Sequence, residues 1–163
     1  MNFTAEDLHN FFQYHDGNLY WKNVPSKNFN LNNTKVGKAS TQSKYIQVSI
    51  KRKKYYLHRI IFMMHHGYMP DFIDHIDGNR RNNKIENLRQ ATLSQNQYNK
   101  KINKNNTSGI KGVYWNKHKQ KWLARCYHDN KCHYVGSYNN LNDAENAIQT
   151  FRKSLHGEFA RHH

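Results

Sequence analysis

Two short apolar segments, FIDHI at 72–76 and NLRQAT at 87–92, flank the polar stretch DGNRRNNKIE. Each is too short for a helix and reads as a strand, with the Asp77-Gly78 pair opening a tight turn between them. Thr92, followed three residues later by Gln95, is a capping box and predicts a helix over LSQNQYNKK with Asn96 in its opening turns. The order is strand, loop, strand, helix. Asp74 and His75 stand together at the end of the first strand, where a core strand gains nothing from them. That placement points to chemistry rather than packing.

The flanking sequence divides the chain by texture. Residues 1–54 predict a helix over TAEDLHNFFQY, with Thr4 as N-cap and Asp7 three residues later, then a turn at His15-Asp16-Gly17-Asn18 and short strands in NLYWK and KYIQVSIK. Residues 55–101 hold the central motif. They begin with LHRIIFMMHHG, whose apolar residues at 57, 60, 61, 63 and 64 predict a buried helix stopped at Gly67. His58, His65 and His66 read as helix or packing histidines. INKNNT, residues 102–107, has almost nothing to pack and reads as a linker; residues 108–163 form a further unit.

Lysine and arginine outnumber aspartate and glutamate by 26 to 11, giving a net charge of +15. The basic residues run along the whole chain, so the expected partner is a polyanion, most simply nucleic acid. A membrane partner is not expected: no run of about 18 apolar residues appears, and MNFTAEDLHNFF lacks the apolar core of a signal peptide. The reading is a soluble intracellular protein. Cys126 and Cys132 flank a hairpin turn at HDNK, and counting outward from it places them on opposite strand faces, which argues against a disulfide. With His128 and His133 nearby but no CxxC knuckle, two reduced thiols are expected rather than a zinc site.

A divalent metal that helps cleave a phosphodiester needs hard oxygen ligands, a base for water and open positions for phosphate oxygens. Asp74 and the amide oxygen of Asn96 are the candidate ligands. His75, a neutral imidazole near pH 7, is the candidate general base. Asn87 is placed to fix the His75 loop through backbone hydrogen bonds, while Asn79, Asn82 and Asn83 read as loop builders. Arg80, Arg81, Lys84 and Arg89 are expected on the DNA backbone.

On these residues, the segment from His58 to Lys100 resembles the HNH nuclease module of phage and intron-encoded homing endonucleases, a ββα-metal fold. The family's first histidine matches His75, its central asparagine Asn87, its preceding acidic ligand Asp74. Its last ligand position, often histidine, is Asn96 here. The resemblance implies one divalent ion, Mg2+ or Mn2+, because an amide oxygen favours these over zinc.

The last unit carries three strand-like segments, SGIKGVYWN, QKWLARCY and KCHYVGSY, then NLNDAENAIQTFRKSLHG. Asn140 as N-cap, Ala144, Ala147, Ile148, Phe151 and Leu155 on one face, and Gly157 as stop predict a helix backing a three-stranded antiparallel sheet. Alternation sends Val113, Trp115, Trp122, Ala124, Cys126 and Val135 toward the helix. Tyr114, Asn116, Arg125, Tyr127 and Tyr134 then face outward, a surface suited to nucleic acid. SGIKGVYW, the KW pair, the glycine of YVGSY and DAENAIQTF resemble the ethylene-response-factor, or Apetala-type, DNA-binding domain over residues 108–158.

Together these readings give an α+β chain and an expected metal-dependent DNA endonuclease. The C-terminal sheet would position it on double-stranded DNA, where a monomer is expected to nick and a double-strand break needs a homodimer or two sequential events. The alternative is a sequence-specific DNA binder that keeps the scaffold without catalysis. By resemblance, its setting is the cytoplasm of a phage-infected bacterial host.

Overall fold

The first helix, α1 (Ala5–Phe11), starts at the expected capping box: the Asp7 amide donates to the Thr4 hydroxyl, and the Thr4 amide to the Asp7 carboxylate. It is shorter than expected. Phe12 is already extended, and FQYH forms β1 (Phe12–His15), antiparallel to β2 (Asn18–Trp21). The reason is the Asp16-Gly17 turn, both residues at positive φ, which closes a hairpin whose pairing satisfies backbone groups that a further helical turn would otherwise hold. The computed structural model describes residues 3–23, 31–41 and 43–162. The chain divides into two compact units, Met1–Ala91 and Thr92–His163.

In the first unit, β3 (Lys38–Ala39), β4 (Ile46–Ile50) and β5 (Lys53–Tyr56) form an antiparallel sheet in the order β3-β4-β5. β5 runs directly into α2 (Leu57–His66), which Gly67 stops in the left-handed conformation. α2 buries Leu57, Ile60, Ile61, Phe62 and Met64, and these meet Leu8, Phe12, Leu19, Val48 and Ile50 in one core. β6 (Phe72–His75) and β7 (Leu88–Ala91) make a two-stranded ribbon, with Ile73 and Leu88 set into the same core. The ribbon is thereby anchored from one face, leaving the end of β6 to carry Asp74 and His75.

The second unit begins with α3 (Leu93–Tyr98), opened by the Thr92–Gln95 capping box and ending at Asn99, short of the expected Lys101. β8 (Val113–Asn116), β9 (Lys121–His128) and β10 (Lys131–Tyr138) follow in the antiparallel order β10-β9-β8. Against this sheet lies α4 (Leu141–His156), capped by Asn140. Val113, Ala124 and Cys126 meet Ala144 and Ile148 in the core, with Trp122 and Val135 packed on it. Trp115 stays 37% exposed, edge-on to Trp122. Cys126 is buried and Cys132 exposed, and both are free thiols. Gly112 has φ +79°, and a Cβ there would collide with the Arg125 carbonyl, so the SGIKGVYW turn requires glycine.

The division between units falls before α3 rather than within 102–107 because Tyr98 belongs to the second core. Its ring stacks on His156 at 3.8 Å, and its hydroxyl both donates to the Asp129 carboxylate and accepts from the Asp129 amide. α4 also buries a stripe that periodicity alone did not reveal: Arg152 and His156 lie under the surface with Ala144 and Ile148. Arg152 is accommodated by donating to the Lys111 carbonyl. Among the described residues, no helix is long and apolar enough to cross a membrane.

Candidate active site

The β6–β7 register pairs Asp74 with Arg89 and His75 with Leu88. The loop between the strands is closed by main-chain bonds, Ile76 N to the Asn87 carbonyl and Gly78 N to the His75 carbonyl. Asp77 is its hub. Its carboxylate accepts from the Asn79 amide and from the side-chain amides of Asn82 and Asn87. Burial works against the charged form, but these hydrogen bonds outweigh it and hold the Asp77 pKa below the ordinary carboxylate value.

Asn87 binds the loop from both sides. Its Oδ1 accepts from Asp77 N at 3.0 Å, and its Nδ2 donates to the Asn82 carbonyl at 2.8 Å. The side chain thus spans the loop and fixes the backbone that follows His75. Asn79 serves its own turn, accepting from Arg81 N, which is the asparagine mimicry of a backbone turn.

His75 is 4% exposed, with Nε2 3.0 Å from Asn83 Oδ1. Burial pushes its pKa down; the Asn83 contact and the Asp77 and Asp74 carboxylates oppose that, and burial prevails. The ring is therefore neutral near pH 7. His58 meets it edge-to-face at 5.2 Å, and Tyr45 lies 6.0 Å away with the Arg80 guanidinium over its own ring at 4.9 Å. His58 is buried too, and desolvation, with His75 and Arg59 nearby, drives its pKa to about 3.

Asp74 is 5% exposed, and its Oδ2 accepts from Arg89 Nε at 3.0 Å and Nη2 at 2.9 Å. Arg89 thus holds a buried carboxylate, a role the sequence did not assign to it. Lys84 pairs with Asp16 at 2.6 Å on the surface, while Arg80 and Arg81 are exposed at the loop. Asn96 stands half-buried on α3, in the second unit.

The donor chemistry suits a hard cation with few protein ligands. Asp74 offers a carboxylate oxygen on β6, beside the amide-rich loop. Among the described residues, no group of three or more histidine, cysteine or acidic side chains gathers as a metal shell. An ion held there would draw on the Asp74 carboxylate, a hard oxygen donor.

On the second unit's sheet, Tyr114, Arg125, Tyr127 and Tyr134 are exposed and Asn116 half-buried. Arg125 lies over the Tyr114 ring at 5.5 Å. The face therefore presents aromatic area and a cation held in place by it.

The strands and loop that build the first unit's site lie within a family match. The HNH endonuclease family profile covers residues 55–98. Protein 3.8 of Escherichia phage T7 is 41% identical over 90 residues, 55% of this chain and 74% of that protein. An uncharacterized HNH endonuclease of Acanthamoeba polyphaga mimivirus is 32% identical over 116 residues, 69% of this chain and 59% of that protein. No solved structure matches with significance.

Proposed function

We propose that this chain, whose residues 55–98 match the HNH endonuclease family profile, hydrolyses phosphodiester bonds of double-stranded DNA with a divalent ion, Mg2+ or Mn2+, as a strand-nicking enzyme of the homing type. The observation that carries this reading is a buried, neutral His75 beside a buried Asp74, at the mouth of a loop that Asn87 pins from both sides.

In this reading His75 takes the proton from the attacking water, a task for which a neutral ring is the competent form. Asn87 keeps the loop behind that ring from drifting. Asp74 would supply an oxygen to the ion, and Asn96 is proposed as the second ligand on the resemblance alone. The ion, when bound, supplies charge stabilisation to the phosphate. Arg89 holds the Asp74 carboxylate in place. Arg80 and Arg81, exposed at the loop, hold the DNA backbone.

The second unit's sheet is proposed as the positioning surface, in the manner of the ethylene-response-factor domain it resembles. The setting proposed is the cytoplasm of a phage-infected bacterium. The test is supercoiled plasmid incubated with the chain and Mg2+ or Mn2+, with and without chelator, beside His75→Ala. Metal-dependent relaxation lost in the variant is the expected result; a plasmid left intact by the wild type under every condition sinks the proposal.

A further inference from the structure

We infer that Asn83 is the positioning residue that fixes the tautomer of His75, holding the proton on Nε2 and leaving Nδ1 as the nitrogen that carries the lone pair. Asn83 is 2% exposed. Its Nδ2 donates to the Arg81 carbonyl at 3.3 Å, while its Oδ1 faces His75 Nε2 at 3.0 Å. Turning the amide over would set its oxygen against the Arg81 carbonyl and its NH2 against the imidazole, losing one bond outright. The amide is therefore oriented by the backbone, and an oxygen facing the ring demands a donor there. In a neutral imidazole that leaves Nδ1 as the acceptor.

The hairpin of β1 and β2 braces this arrangement from behind. Gly17, at φ +77°, packs so closely that an added Cβ would sit 2.7 Å from Lys84 N and 3.0 Å from the Asn83 carbonyl carbon. Tyr14 completes the brace by accepting from Ile85 N at 3.1 Å. The main chain from the Asn83 carbonyl to Ile85 is thus set by contacts outside the loop. The buried amide has one orientation to offer.

The catalytic part of this assignment rests on the nuclease reading; the tautomer itself does not. It is read by two-bond proton–nitrogen correlation spectra of the nitrogen-15-labelled full chain near pH 7.5, with the His75 signals identified by their loss in His75→Gln. Protonated Nε2 and lone-pair Nδ1 are expected in the wild type. Asn83→Leu should show both tautomers and lose about 10- to 100-fold in turnover with KM for DNA unchanged, the usual cost of losing a group that orients an active-site ligand. Asn83→Asp keeps an oxygen acceptor and should keep the tautomer and most of the rate. A wild-type His75 protonated on Nδ1 overturns the assignment, as does a folded Asn83→Leu that retains a single Nε2–H form. If Asn83→Leu does not fold, the wild-type and Asn83→Asp spectra decide. The expected tautomer in a chain that cuts nothing supports the role of Asn83 while overturning the nuclease reading.

Discussion

Acid should unfold the first unit through His58, and the size of the effect follows from where that ring sits. His58 is buried on α2 against His75 of β6, Tyr45 and Tyr56, with Arg59 beside it on its own helix, and its pKa is driven to about 3. In the unfolded chain the same ring has the ordinary value near 6.5. Between these values the unfolded state takes up a proton that the folded state refuses, so the stability contributed by a neutral His58 is complete above about pH 6.5 and is lost as pH falls. Each pH unit costs about 1.4 kcal/mol, and between about pH 7 and pH 5 the loss is about 2 kcal/mol. His58→Gln removes the titration. The variant is expected to be less stable at neutral pH because it loses packing, yet its stability should fall less steeply with acid than the wild type by that amount. Urea titrations at both pH values, read by hydrogen exchange on peptides from α2, report the first unit specifically. With a slope near 1–2 kcal/mol per molar urea, the difference is a midpoint shift of about 1–2 M. Parallel losses in the two proteins would show that His58 accepts a proton without unfolding, and the reasoning from burial would fail.

Replacing His75 by alanine should lower metal-dependent cleavage by about 10²- to 10⁴-fold, the usual worth of a general base, with DNA affinity measured by gel shift nearly unchanged. Arg89→Met leaves the Asp74 carboxylate buried without its guanidinium and should destabilise the first unit by about 3 kcal/mol; adding Asp74→Asn should restore part of that, and a single variant as stable as wild type would show the pair to be dispensable. Gly17→Ala, forced to positive φ and against Lys84 N, should cost about 1–3 kcal/mol, and a neutral result in denaturant titration would mean that the hairpin does not brace the loop. Arg125→Ala should weaken discrimination between target and random DNA by about 1–3 kcal/mol if it reads a base edge, whereas Arg81→Ala should weaken both equally; binding isotherms at two salt concentrations separate the cases.

The elements legible in the sequence were those with a local chemical signature. Thr4 and Asp7, Thr92 and Gln95, and Asn140 mark helix starts by side-chain bonds that span three residues, so the signal lies within a single turn. Gly67 and the alternation around Cys126 and Cys132 are local in the same sense. What escaped depends on partners distant in sequence. Arg89 reads as a phosphate contact until the strand register brings it to Asp74, and Asn83 reads as one loop asparagine among several until its amide is seen against His75. His58 reads as a helix or packing histidine and is buried, but nothing in LHRII tells that it packs on His75. Phe12 left the predicted helix because its ring fills the core from a strand, a tertiary preference that overrides a weak local one.

The abundance of asparagine around the site has a physical reason that joins the fold to the proposed chemistry. A two-stranded ribbon with four-residue strands is not stable alone, and the loop it carries cannot rely on apolar packing because it must stay open to a polyanion. Its backbone groups still need partners. Carboxylates would satisfy the amides but repel phosphate, and lysines would donate without accepting. Asparagine both donates and accepts while adding no charge. Asn79, Asn82 and Asn87 therefore converge with the single carboxylate of Asp77, whose charge is spread over three donors inside the loop. Arg80 and Arg81 are left exposed on the outside, where the phosphates would lie. Substituting aspartate for Asn82 would put two carboxylates within one hydrogen bond of each other, so the loop should loosen and DNA affinity fall together, whereas Asn82→Ser should loosen it with a smaller loss of affinity.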